Sequence, residues 1–115
     1  MTESIGIKLV ELITPIIPLI LSETETDQYP YCTYEMTTQD YIDKVRRLYK
    51  IRGTVAIRIV SKDFSEADSL RERVEAALFE GMSGPQYFFT LATRDKDRVN
   101  GVWILEINCT ITQRQ

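Results

Sequence analysis

Histidine is missing altogether from this chain of 115 residues. Its absence removes the commonest general base, the commonest metal ligand and the usual partner of a nucleophilic serine or cysteine, so hydrolytic chemistry of the triad type has no foundation here. Glycine is sparse, with five residues at positions 6, 53, 81, 84 and 101. That spacing matches neither a dinucleotide fingerprint nor a Walker loop, both of which need clustered glycines so that the backbone can approach phosphate. Cysteine is limited to Cys32 and Cys109, with no second pair to build a metal or redox motif. Both lie in alternating apolar segments and read as buried free thiols. For Cys32 to act as a nucleophile, a positive group or a helix N-terminus would have to lower its pKa, and a strand context supplies neither.

A long uninterrupted apolar run is also lacking. The nearest approach, Ile5 to Leu21, contains Lys8, Glu11, Pro15 and Pro18, and so falls short of the roughly 20 continuous apolar residues that span a bilayer. Glu3 precedes that run and Ser-Glu-Thr-Glu follows it, where a signal peptide would carry a cationic start and a small-residue cleavage site. Export is therefore not expected, and the cytoplasm is the default. Positive charge is in deficit, with 14 Lys and Arg against 17 Asp and Glu, a net charge of −3. The resulting pI near 5.0 offers no global attraction to phosphate backbones or anionic lipid. Neither a membrane nor a specific nucleic acid is an expected partner.

What remains is the composition of an ordinary folded domain, 43% hydrophobic and 27% charged, and residues 1–115 are expected to form a single domain. Ser4 can cap a first helix whose Ile5, Leu9, Leu12 and Ile13 share one face. Pro15 and then Pro18 should stop it, with the intervening isoleucines packing inward. The acidic stretch Ser22 to Gln28 reads as a solvated loop. Strands are expected at Tyr31 to Met36, at Thr54 to Val60 where Val55, Ile57 and Ile59 share a face, at Gln86 to Arg94, and at Val102 to Thr112. In the last of these Trp103, Leu105, Ile107, Cys109 and Ile111 form one core face. Asp63 with Glu66 makes a capping box for a second helix carrying Ala67, Leu70, Val74, Ala77 and Leu78, ending at Gly81. The polar stretch Asp95 to Gly101 has turn chemistry and should connect a hairpin.

These elements define an α+β fold of order α-β-β-α-β-β, an antiparallel four-stranded sheet with both helices packed on one face. Asp40 to Arg52 admits two readings at this level. Ile42, Val45 and Tyr49 fit helical spacing, whereas a long hairpin arm also accounts for the charges; the arm is the preferred reading.

No catalytic residue, cofactor-binding residue or metal ligand is assigned. Asp95, Asp97 and Glu106 could hold a divalent cation only with further oxygen ligands, and a solvated turn explains the first two more simply. The one basic cluster, Lys44, Arg46, Arg47, Lys50 and Arg52 with Tyr49 among them, is the candidate protein-interface segment.

Four stretches carry a family likeness. They are the amphipathic opening helix, the lead into a strand Tyr29-Pro-Tyr-Cys-Thr-Tyr-Glu35, the run Val55-Ala-Ile-Arg-Ile-Val-Ser-Lys-Asp-Phe-Ser-Glu-Ala67 from strand into helix, and the hairpin from Tyr87 to Ile111. Through them the chain, from about Ile5 to Ile111, resembles the tail completion and tail terminator proteins of long-tailed bacteriophages, small subunits at the junction of tail tube and head. The paired prolines and the charged segment 40–52 depart from that pattern. The resemblance implies a structural, non-enzymatic subunit that forms a homo-hexameric ring and caps the tail tube. Its implied partners are the tail tube protein and the head-neck connector proteins, with DNA passing through the ring. The implied location is the bacterial host cytoplasm during assembly and then the virion tail, phage- or prophage-encoded. An alternative, suggested by the aromatic strands, is a ferredoxin-like binding or regulatory module holding a small ligand between sheet and helices.

Overall fold

The computed structural model describes residues 5–19, 29–43 and 48–114. Six elements follow one another: α1 (Ile5–Ile13), β1 (Tyr31–Asp43), β2 (Leu48–Ser61), α2 (Phe64–Gly81), β3 (Tyr87–Val99) and β4 (Val102–Arg114). The strands form one antiparallel sheet in the order β1-β2-β4-β3, which is the α+β architecture expected from the alternation. β2 and β3 both run antiparallel to β4, so they run parallel to each other, and α2 makes the crossover between them.

Burial follows the period-two pattern of the central strands. Ile57 stands opposite Ile107, Ile59 opposite Leu105 and Val55 opposite Cys109, and all six are at most 1% exposed. On this face lie Ile5, Leu9 and Ile13 of α1 and Ala67, Leu70, Val74 and Leu78 of α2. Each of these isoleucine, leucine and valine side chains contributes roughly 1.5–3 kcal/mol by leaving water. The helices meet closely at their ends: a Cβ added at Gly81 would lie 2.6 Å from Cδ2 of Leu12, so only glycine admits this approach without moving Leu12.

Pro15 ends α1 as its missing N–H requires. The amides of Ile16 and Ile17 both donate to the carbonyl of Ile13, at 2.9 and 3.1 Å, and the amide of Cys32 donates to the carbonyl of Pro18 at 2.8 Å. The proline segment is thereby laid along the outer edge of β1, with Ile17 buried. The proposed Ser4 cap and the loop Ser22 to Gln28 lie outside the described residues.

Four local expectations are corrected. Asp63 does cap α2, its Oδ1 accepting from the Ser65 amide at 3.2 Å, but Glu66 does not complete a capping box. Buried Ser61 intervenes, its hydroxyl donating to Glu66 Oε1 at 2.9 Å and accepting from the Asp63 amide at 3.2 Å. Second, β1 and β2 run far past Met36 and Thr54, pairing from Tyr31 opposite Val60 to Asp43 opposite Leu48. Residues 40–43 and 48–52 are therefore paired strand, as the hairpin-arm reading expected, and Val45 lies outside the described residues.

Third, Asp95 to Val99 is strand and not turn. Its partners Val102 to Glu106 belong to a strand whose alternation runs on from Leu105 to Gln113, and charge is tolerated on an edge strand. The reversal is confined to Asn100 and Gly101, with φ of 52° and 78°, the paired positive values that a two-residue hairpin loop demands. Fourth, Trp103 is only half-buried. It lies at the end of the core face, where it meets Phe64 edge-on with ring centroids 4.9 Å apart.

Two substitutions separate core from turn. Ile107→Ala should lower the free energy of unfolding by about 2–5 kcal/mol through lost contact and residual cavity, and Gly101→Ala by about 1–2 kcal/mol through its left-handed backbone. Urea titration of each variant against the parent chain measures both.

Candidate protein-interaction surfaces

The basic segment sits at the end of the sheet where β1 turns into β2. Lys50 and Arg52 are exposed; on β2 they stand opposite Tyr41 and Gln39 of β1, and opposite Arg114 and Thr112 of β4. Beyond Lys50 the described pairing of β2 is with β1 alone, so the sheet narrows there to a two-stranded ribbon. Lys44, Arg46, Arg47 and the side chain of Tyr49, the other expected interface residues, lie outside the described residues.

At the opposite end, the helix-free face of the sheet carries the carboxylates considered as metal ligands. Arg58 Nε donates to Glu106 Oε2 at 2.8 Å, and its Nη1 lies 3.2 Å from Glu35 Oε1. Asn108 Nδ2 donates to Glu106 Oε1 at 3.0 Å and to Asp95 Oδ2 at 3.3 Å. Both oxygens of Glu106 are thus engaged by protein donors, and the row reads as a cross-strand polar ladder. Among the described residues no cluster of three or more Asp, Glu, Cys or His is arranged to hold a metal ion.

A third surface escaped the sequence reading. α1 lies toward the β1 side, where Ile5 Cδ1 would be 3.4 Å from a Cβ on Gly53, and α2 lies beside it, so the margin of β3 is left without a covering helix. Between α2 and that margin runs an open groove of about 380 Å³ lined by Glu72, Glu75, Ala76, Phe79, Phe89, Leu91 and Arg94. Phe79 is 63% exposed. A two-pronged ion pair crosses the groove, from Arg94 Nε to Glu75 Oε1 at 2.7 Å and from Arg94 Nη2 to Glu75 Oε2 at 2.8 Å. A bulge between Leu91 and Thr93 turns Arg94 toward the helix. The signal available in the sequence was Phe79 itself, a large apolar residue one position off the stripe of α2.

Both cysteines are buried free thiols, as expected. Burial pushes each of them up to about 12, with Glu75 adding to the effect at Cys109. They are therefore protonated and unreactive at neutral pH.

Neither a protein-family model nor a curated protein matches this sequence. Among solved structures, the fold is shared with a chain from the virion of a native gene transfer agent particle. The two chains are 11% identical and superpose with a TM-score of 0.65, over 99% of this chain and 87% of that one. At that identity the likeness establishes the fold. No helix among the described residues is long and apolar enough to cross a membrane.

The thiol environment makes a pH-dependent prediction. Because each folded-state pKa lies above the unfolded value of 9.0, the unfolded chain loses these protons first. Stability should hold below pH 9 and fall progressively from pH 9 toward 12. A Cys32→Ala/Cys109→Ala chain should show a shallower alkaline decline in melting temperature, and the parent thiols should react with a disulfide reagent at pH 8 only when denaturant is added.

Proposed function

We propose that this protein is a structural subunit of a phage-like particle that caps the tail tube and joins it to the head or neck as a homo-oligomeric ring. The observation that carries the reading is the sharing of one fold, over 99% of the chain, with a component of a virion. The sequence resemblance to tail terminators supports the finer assignment. The polar groups of the described residues are cross-strand ladders and exposed charge, which suits assembly through surfaces. Partners under this reading are further copies of the chain, the tail tube protein and the neck connectors, and the basic 44–52 side of the arm is a contact surface. The ligand-binding alternative is less well supported, because the space between sheet and helices is filled by fully buried Leu9, Ile13, Ile57, Leu78 and Ile107.

A deletion of the gene should yield overlong tails without heads in electron micrographs, and normal tails on normal heads would reject the assignment. Arg46→Glu/Arg47→Glu should block joining without unfolding the domain, with circular dichroism and melting temperature as the check on folding. Normal particles from that double variant would remove the arm contact and leave the ring reading standing.

A further inference from the structure

Three cations gather at the end of the sheet where β4 begins, and each lies over an aromatic ring. Arg98, the cross-strand partner of Trp103, has its Cζ 5.4 Å from the centroid of that indole. Lys96 Nζ is 5.7 Å from the Phe64 centroid. Because Phe64 packs edge-on against Trp103, cation, ring, ring and cation form one continuous cluster. Just past β2, Lys62 Nζ stands 5.2 Å from the ring of Tyr29. All three cations are exposed.

None of the three forms an ion pair among the described residues. The carboxylates around them are engaged by other donors. Asp63 Oδ1 accepts from the Ser65 amide and Glu66 Oε1 from the Ser61 hydroxyl. Asp97 Oδ1 accepts from the backbone amide of Arg98 at 2.8 Å, and Asp95 Oδ2 from Asn108. Asp68 pairs with Arg71. Arg58 and Arg94, by contrast, each hold a carboxylate at 3.2 Å or less. The positive charge at this end of the molecule is therefore left without a counter-charge at contact distance.

We infer that this end of the molecule docks an acidic segment of a partner protein. Stacking on a ring restrains a guanidinium or ammonium head without consuming its hydrogen-bond donors. Those donors stay available to carboxylates, and less side-chain freedom is lost when they are used. Arginine and tryptophan are also the residue types that anchor protein contacts, and Phe64 and Val99, 36% and 46% exposed, add apolar area beside them. A nucleic-acid strand fits less well. Bases stack on open ring faces, whereas here a cation lies over each of Tyr29, Phe64 and Trp103, and the net charge of −3 disfavours a polyphosphate at long range. Trp103 stands opposite Ser61 and Arg114 opposite Lys50, so the surface lies at the far end of β2 from the basic arm, and the inference does not depend on the ring reading.

Trp103 is the single tryptophan of the chain, so its emission reports directly on the site. The probe is the synthetic peptide Glu-Asp-Glu-Phe-Asp-Glu, with Gln-Asn-Gln-Phe-Asn-Gln and oligothymidylate for comparison. Titrated into the purified full chain at low salt, the acidic peptide should change that emission saturably and the amide peptide should not; added salt should reverse the change. Lys96→Gln/Arg98→Gln, with circular dichroism and melting temperature as the check on folding, should bind the acidic peptide at least about 10-fold more weakly. Arg73→Gln/Arg114→Gln removes the same charge from exposed positions outside the cluster and should bind as the parent does. Anisotropy of a labelled peptide reads the same affinities without relying on the indole. Equal weakening by both double variants would reduce the effect to net charge and overturn the inference. So would tighter binding of oligothymidylate than of the peptide, or no saturable response up to about 1 mM peptide, the limit of weak association. The virion role is judged separately by the deletion phenotype.

Discussion

The antiparallel ladder between β2 and β4 is the constraint on which everything else in the molecule rests. Twelve residue pairs, from Lys50 opposite Arg114 to Ser61 opposite Trp103, hold the two middle strands in a register that stacks Val55, Ile57 and Ile59 against Cys109, Ile107 and Leu105. A slip of one residue would turn that apolar face to water and leave both helices without a floor. The edge strands are attached through short or local connections to these two, and α2 starts directly where β2 ends. The strands, 13 or 14 residues long, are more than twice the usual length, which makes the molecule 54 Å long and only 25 by 24 Å across.

Much of this was legible in the sequence because the middle of the molecule obeys simple periods. Val55, Ile57 and Ile59 alternate with more exposed residues, as Leu105, Ile107, Cys109 and Ile111 do, and Leu70, Val74 and Leu78 recur at helical spacing, so element order and the shared apolar face followed directly. The ends of the strands were less legible. Asp95 to Val99 carries the composition of a turn, and only pairing to a strongly patterned β4 makes it strand. The 40–52 segment has apolar residues at spacings that suit a helix, and its pairing across the hairpin decides the matter through contacts no local pattern contains. The interaction surfaces divide likewise. A basic cluster is visible as a run of letters, whereas the groove needs Phe79, Phe89 and Arg94, which come together only when β3 is laid beside α2.

The electrostatics of the fold follow from the same geometry. A net charge of −3 conceals a molecule with a basic arm on one edge and an acidic helix toward the other. The Arg58–Glu106–Asn108 row on the open face balances its charges locally. On α2, Arg71 Nη2 pairs with Asp68 while its buried Nε has no hydrogen-bond partner among the described residues.

The bulge at Leu91 and Thr93 has an evolutionary side. Under strict alternation, Asp95 and Asp97 would lie beneath acidic α2; with Ala92 as the extra residue, Arg94, Lys96 and Arg98 occupy that side, and the aspartates face the open sheet. Position 92 is thus a place where one codon can be lost while every downstream side chain of β3 keeps its face. Loss or gain of a residue beyond it, in the paired stretch before the turn, inverts the polarity of the strand. Insertions and deletions in descendants of this gene should accordingly be tolerated unevenly along a strand that, by composition alone, looks uniformly solvated.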